Sequence, residues 1–457
     1  MSQMPFYGRA AEREALLQNL AAVTAGESRL IVIEGRRRIG KTRLIQQTLA
    51  ASPIPVISFY VNDRMGRASN AARFRERLSE AIELPEKTSG FTSMAQILAV
   101  LAEHPHKTPF VLVIDEIQHC NAVEPGFYAE LMRFWKANRK TAQILLILTE
   151  STACAEAFSH QTERSALYRL AESRLRLAPF TTEELRQVLT EAVPQATVSE
   201  LLRLYAITGG IPGYVEYLLQ ENPQTADDLL HAALKTDSPL LNEGLLLIGQ
   251  SFRTDYADYF ELLTRIAAGT SERTELMAHV SGKDTANLLR RLEDFYGLIV
   301  KDEPAQTPKK YKAVQYRIAD AFLTFWFAFV CPRADLVENE QSGRLFDEIR
   351  AELSVFEERM LAAWFRQRLR ETGRYREVAA WRDSRGGNAI DLVAVNAADK
   401  TVTFADVRLR EPADPDTLRQ KSLHFLLQSG SCAGFDCRCL CLTGEDMLSE
   451  SLLRPSP

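Results

Sequence analysis

An eight-residue stretch narrows the possible folds of this chain most. Gly35-Arg36-Arg37-Arg38-Ile39-Gly40-Lys41-Thr42 lies between the apolar run Leu30–Ile33 and the helical spacing of Thr42–Leu49. A strand that enters a glycine-bounded turn and then a helix can wrap backbone N–H groups around a phosphate. Gly35 and Gly40 permit backbone angles and a close approach that a Cβ would block. The following helix offers the positive end of its dipole to the anion. In this pattern Lys41 is the mobile cation for the β- and γ-phosphates, and the Thr42 hydroxyl ligates Mg2+. The expected ATP-binding stretch is Gly35, Arg36, Arg37, Arg38, Ile39, Gly40, Lys41, Thr42 and the adjoining Arg43. A basic turn that caps a helix is the competing reading, and it has no need of the strand before it.

Val111-Leu112-Val113-Ile114-Asp115-Glu116 supplies the second half. A buried apolar strand delivers two carboxylates at its C-terminal end, where ligands bind in open α/β sheets. Asp115 is expected to hold Mg2+, and Glu116 to polarise the attacking water as general base. Ile144–Leu148 runs into Thr149-Glu150-Ser151, where Thr149 or Ser151 is a candidate to sense the γ-phosphate or hold the water. Arg169 and Arg174 are candidates for stabilising transition-state charge, against the plainer reading of a surface salt bridge.

The 457 residues exceed what one hydrophobic core organises, so two to four domains are expected. Strand-length runs at Leu30–Ile33, Val56–Val61, Phe110–Ile114 and Ile144–Leu148 alternate with helical spacing, which predicts an α/β fold with a parallel sheet wrapped by helices. After about Phe180 the strand runs stop and helices follow. Tyr256–Ile299 reads as three helices, with Leu298–Lys301 and Val314–Ile318 as a hairpin, which is the winged-helix pattern. From about Leu336 come a helix, Phe346–Glu371, and strands near Trp381, Ile390–Val395 and Val402–Val407. A net charge of −5 excludes a surface basic enough to grip nucleic acid throughout and leaves only local patches for it. No apolar run has membrane-spanning length, the N-terminus lacks a secretory pattern, and the 7 cysteines are unevenly spaced. A cytoplasmic protein is the expectation. Cys437, Cys439 and Cys441 alternate as the inward face of a buried strand would, without the Cys-x-x-Cys knuckle of a metal site.

Further pieces carry a resemblance. Phe6-Tyr7-Gly8-Arg9 with Glu12 opens the chain. Phe134-Trp135, Leu167-Tyr168-Arg169, Pro179-Phe180 and Thr208-Gly209-Gly210-Ile211-Pro212 follow the phosphate loop and the Asp-Glu strand, and Tyr316–Val330 reads YRIADAFLTFWFAFV. Taken in order, these resemble the archaeal-type ATPases of the signal-transducing (STAND) branch of AAA-like P-loop proteins. One group of these ends in a restriction-endonuclease-like domain. The resemblance implies a P-loop NTPase core over residues 1–180, a helical lid over 181–250, a winged helix over 251–335 and a nuclease-like α/β domain over 336–457. It implies that Arg9 helps close the adenine pocket and that Gly210–Pro212 lies near the nucleotide, with Pro212 among its contacts. It further implies a slow switch rather than bulk turnover. Glu150 stands where relatives carry Gly-Ser, and an acid facing inward there would repel the γ-phosphate.

Nucleases of the PD-(D/E)xK kind place acids on a helix and at two strand ends, with a lysine two residues after the last acid. The acids bind Mg2+ and the lysine handles the attacking water. The matching positions are Glu357, Asp391, Asp406 and, in place of the lysine, Arg408. Arginine stays protonated and cannot act as a base, though it still binds phosphate. Basic residues Arg290 and Arg291, with Lys309, Lys310 and Lys312, suit DNA phosphates or an internal dock. Three readings compete: an ATP-driven switch, an ATP-regulated DNA-processing nuclease, and a non-catalytic DNA- or protein-binding module gated by ATP. Self-association is a further partnership these readings admit, and a membrane is not.

Overall fold

A computed structural model of the chain describes residues 4–103, 108–151, 166–248, 256–279, 284–305, 315–383, 388–428, 432 and 434–449. Two compact units form, one from Pro5–Ala178 and one from Pro179 onward.

The first unit is built on β1 (Arg29–Gly35), β2 (Val56–Tyr60), β3 (Phe110–Asp115), β4 (Ile144–Ser151) and β5 (Ser173–Leu177), in the order β2-β3-β4-β1-β5. Every pair is parallel. The helices are α1 (Ala10–Thr24), α2 (Lys41–Leu49), α3 (Arg67–Ser79), α4 (Met94–Glu103), α5 (Ile117–Val123) and α6 (Phe127–Asn138). A sheet covered on both faces needs continuously apolar strands, and all eight residues of β4 are buried. Phe74, Leu98, Leu112, Phe134, Trp135 and Leu146 belong to its core. The register pairs Gly35 with Ser151 on β1 and β4, so the glycine loop and the polar end of β4 emerge side by side. The sequence reading missed β5. Its SRLRL pattern is only half apolar because an edge strand has one neighbour and solvent beside it.

The second unit begins with helices α7 (Thr182–Ala192), α8 (Val198–Thr208), α9 (Pro212–Gln220), α10 (Ala226–Leu234) and α11 (Pro239–Ile248). Thr181, Thr197 and Thr225 cap three of them, each paired with an acid three residues on that reaches back to the cap N–H. Then come α12 (Tyr256–Ala268), α13 (Arg273–His279) and α14 (Thr285–Arg290), and the antiparallel hairpin of β6 (Ile299–Asp302) with β7 (Gln315–Ile318). The turn at Gly282-Lys283 and the residues Lys309, Lys310 and Lys312 lie outside the described residues. The aromatic run continues as α15 (Ala321–Phe325) and a π-helical turn, Trp326–Val330, with Phe322, Phe325, Trp326, Phe327 and Phe329 all buried. After α16 (Ala334–Glu338), the 30-residue helix α17 (Ser342–Glu371) leads to a separate sheet. Its strands are β8 (Glu377–Arg382), β9 (Ala389–Asn396), β10 (Thr401–Arg408) and β11 (Asp436–Thr443), in the order β11-β10-β9-β8, with α18 (Pro415–Gln428) between β10 and β11.

The cysteine strand departs from expectation. β11 is an edge strand, so Cys437 is exposed and Cys439 and Cys441 are only partly covered. Among the described residues no group of three or more His, Cys, Asp or Glu is arranged to hold a metal. Nor is any described helix long and apolar enough to cross a membrane.

Candidate functional site

The glycine loop closes tightly on itself. A Cβ at Gly35 would meet Ile39 Cγ2 at 2.9 Å and the Leu177 carbonyl oxygen at 3.2 Å. Gly40, φ +96°, turns the chain into α2. The Ile39 side chain is buried and anchors the loop on the fold, so its part in holding a ligand falls to the backbone. Arg36, Arg38 and Arg43 are half-buried along this stretch, and Arg37 is exposed.

Lys41 is 4% exposed in its side chain and reaches back across the loop. Its Nζ donates to the carbonyls of Gly35 (3.0 Å) and Arg36 (3.3 Å) and to Ser151 Oγ (3.2 Å), and it pairs with Glu116 Oε1 at 3.1 Å. Ser151 Oγ in turn donates to Glu116 Oε2 at 2.8 Å, and Gln118 Nε2 donates to the same oxygen at 2.6 Å. Thr42 Oγ1 donates to Asp115 Oδ2 at 2.8 Å, and Thr149 Oγ1 donates to Asp115 Oδ1 while accepting from the Glu116 N–H at 2.9 Å. Glu116 holds this position with left-handed backbone, φ +51°. Such strain in a non-glycine residue is characteristic of functional sites. Burial alone would raise its pKa. The charge of Lys41 and the hydrogen bonds from Gln118, Ser151 and Lys41 outweigh burial and hold the carboxyl below its ordinary value.

Lys41, Thr42, Asp115, Glu116, Thr149 and Ser151 thus form one connected group at the strand ends. A cation, a hydroxyl–carboxylate pair and a second, ionised carboxylate at the mouth of an anion-cradling loop can hold a polyphosphate, a divalent cation and an attacking water. Thr42 and Asp115 present hard oxygens 2.8 Å apart, a donor set that suits Mg2+.

Residues 10–218 match a family model described as an ATPase domain predominantly from Archaea. The first unit has the fold of a P-loop ATPase. Residues 326–422 match a second model, of archaeal and bacterial proteins of unknown function. An uncharacterized protein of Methanocaldococcus jannaschii is 23% identical over 447 residues, 94% of this chain and 93% of its own. Among solved structures, a Walker-type ATPase of Pyrococcus abyssi shares the fold at TM-score 0.50 and 18% identity, covering 70% of this chain and 96% of its own. The ORC2 protein of Aeropyrum pernix, solved as ADPNP–ADP complexes, does so at TM-score 0.52 and 16% identity, over 75% of this chain and 97% of its own.

Around the ATPase domain's loop the other candidates separate. Arg9 adopts φ +61° and donates to the carbonyls of Ile39 and Ala178, which ties it to the back of the loop. Arg174 is engaged in an ion pair with Glu34 at 2.8 Å, the salt-bridge reading. Arg169 is exposed and makes no hydrogen bond or ion pair among the described residues, so nothing in the structure joins it to the loop. Glu150 does not face the loop. It is fully buried and accepts a hydrogen bond from Tyr168 Oη, because alternation along β4 turns it away from Thr149 and Ser151. Pro212 is the first residue of α9 in the second unit, next to Gly209 and Gly210, both with positive φ. Phe180 N–H donates to the Gly210 carbonyl at 2.9 Å.

The nuclease-like acids come together only in part. The β9–β10 register pairs Ala405 with Leu392, so Asp406 follows opposite Asp391. Asp391 Oδ2 accepts from the Val407 N–H at 2.9 Å, and buried Asp406 pairs with Lys421 Nζ at 2.8 Å. Glu357 is elsewhere engaged, in an ion pair with Arg203 of α8. Arg408 is exposed. The sequence reading missed both Gln118 and Lys421. Gln118 sits two residues from Glu116 and was open to inference; Lys421 comes from a distant helix and carried no local signal.

Proposed function

We propose that the protein is an ATP-driven switch: ATP bound and hydrolysed at Gly35–Thr42 sets the activity of the C-terminal unit. In this reading Lys41 and the loop backbone of Gly35–Arg43 hold the phosphates, Thr42 and Asp115 hold Mg2+, and Glu116 orients the attacking water. When bound, the ion would neutralise charge on the phosphates. Arg9 would support the loop, and Pro212 and Arg169 would complete the site from outside the connected group. Residues 181–250 act as a helical lid. Residues 251–335 act as a winged helix, a reading supported by three helices followed by the β6–β7 hairpin. Residues 336–457 act as a nuclease-like effector region. DNA and a second copy of the chain are the partners this arrangement suits.

The observation that carries the proposal is the link from Lys41 through Ser151 to an ionised Glu116, beside the Thr42–Asp115 pair. The test is ATP binding and steady-state hydrolysis by wild type, Lys41→Ala and Glu116→Gln. Lys41→Ala is expected to lose ATP affinity by about 100-fold or more. Glu116→Gln is expected to keep binding and to lose hydrolysis by about 10²–10⁴-fold. Undiminished hydrolysis in both variants rejects the reading.

One observation favours a second reading, ATP-regulated phosphodiester cleavage: Lys421 supplies beside Asp406 the amine that the strand itself lacks at Arg408. It predicts Mg2+-dependent nicking of DNA that is lost in Asp391→Ala and in Lys421→Met. A wild-type protein that cuts no form of DNA rules this out.

A further inference from the structure

The C-terminal unit contains a cavity of about 1190 Å3, larger than the roughly 300–1,000 Å3 of common small-molecule sites. One wall is a face of α17, where Ala362 and Ala363 leave space and Arg366 and Arg370 follow four residues apart. Like charges at that spacing on a helix repel. Arg317 joins them from β7, and Tyr205 from α8. Arg317 and Arg370 both keep exposure to solvent, the Arg317 side chain 46%, and the part of each that is covered holds it below the ordinary guanidinium range. Arg366 pushes each further down, Arg317 does the same to Arg370, and Asp302 works the other way.

The protein's own groups leave this cluster poorly neutralised. Asp302 comes no nearer to Arg317 than 3.9 Å. Arg370 donates to the Val378 carbonyl at 2.6 Å, and Arg317 makes only a long contact, 3.5 Å, to the Ile318 carbonyl. Arg366 makes no hydrogen bond or ion pair among the described residues. A guanidinium has five N–H donors in a planar fork that matches the oxygens of a phosphate. Three forks line one cavity, and although further carboxylates line it too, among the described residues the one ion pair made by these three arginines is the 3.9 Å contact of Arg317 with Asp302, which leaves their donors open to a phosphate. Elsewhere in the cavity lining the β-sheet contributes Asp383 and Asp391, acceptors for hydroxyl or amino groups rather than for a second anion.

We infer that this cavity binds a nucleoside phosphate, its phosphate held by Arg317, Arg366 and Arg370. Its lining residues all belong to the second unit, and none is a residue of the phosphate loop. The phosphate belongs either to a free nucleotide or to the end of a nucleic-acid strand.

The experiment uses the full chain carrying Lys41→Ala, which disables the loop. Binding of AMP and of a 5′-phosphorylated ten-nucleotide single strand is measured by calorimetry and by fluorescence anisotropy, with adenosine as the phosphate-free control. At least one phosphorylated probe is expected to bind and adenosine is not. Adding Arg366→Ala is expected to weaken that binding tenfold or more, and Arg366→Lys, which keeps the charge and loses the fork, to weaken it less. Binding of AMP alone assigns the site to a free nucleotide, and binding of the strand alone assigns it to a strand end. No binding by either probe, binding by adenosine equal to AMP, or binding indifferent to Arg366→Ala overturns the inference. If Arg366→Ala unfolds by circular dichroism, Arg366→Gln takes its place, and the same outcomes apply.

Discussion

Ser151 both accepts from Lys41 and donates to Glu116, so a single hydroxyl ties the phosphate-binding cation to the candidate base. Ser151→Ala is expected to lower kcat about tenfold, roughly 1.4 kcal/mol, with ATP affinity changed less than about threefold. The pH profile separates this role from a merely structural one. Glu116 has a lowered pKa in the folded protein. Its contribution is therefore fully present above the ordinary glutamate value, about 4.3, and is lost as pH falls through the lower folded value. The kcat/KM of wild type is expected to show no acid limb from Glu116 between pH 8 and about 5. Ser151→Ala removes a hydrogen bond to the charged form and moves that limb upward. An unmoved limb takes Ser151 out of the link. Gly35→Ala meets Ile39 and Leu177 at once and is expected to abolish ATP binding in a titration with a fluorescent ATP analogue. Much of this site was legible in the sequence, because a phosphate loop is a local pattern with fixed spacing. The orientation of Glu150 was left open in the sequence, although alternation along a strand puts it opposite Thr149 and Ser151. Lys421 was not, because its partner Asp406 lies 15 positions away on another element.

At the scale of elements, the second unit is held by aromatic packing that leaves little slack. A Cβ at Gly244 of α11 would lie 2.2 Å from Trp326 Cδ2, and the indole is fixed by its Nε1 donating to the Leu241 carbonyl at 2.8 Å. The ring cannot yield without losing that bond. Gly244→Ala is therefore expected to destabilise the unit by about 3 kcal/mol, the upper end for overpacking, read as a lower denaturant midpoint at unchanged slope. A midpoint within error of wild type would mean that the helix and the aromatic turn are not packed as described. The aromatic run Tyr316–Val330 stood out in the sequence, but Gly244, 82 positions before Trp326, did not, because nothing about a glycine names the ring that covers it. β5 and β11 illustrate the same limit. Whether a strand lies at the middle or the edge of a sheet depends on its neighbours, so SRLRL went unread and the cysteine strand was expected to be buried.

At the scale of the molecule, two compact units imply two unfolding events in a calorimetric scan of the full chain. Only the ATPase domain carries the phosphate loop, so nucleotide should act on one of them directly. At a hundredfold excess over Kd a ligand adds about 2.7 kcal/mol to the state it binds, which for a unit of this size raises Tm by roughly 5–10 °C. That shift is expected with ADP and with a slowly hydrolysed ATP analogue, and it should vanish in Lys41→Ala. The second transition is the more telling one. A switch requires that ATP and ADP differ in their effect on the unit that lacks the phosphate loop, and coupling between sites is typically 1–3 kcal/mol. The second Tm should therefore differ between the two nucleotides by a few degrees, in wild type and not in Lys41→Ala. If it stays the same with either nucleotide while the first transition shifts, the ATPase domain binds its ligand and passes nothing on, and a switch has no free energy to work with.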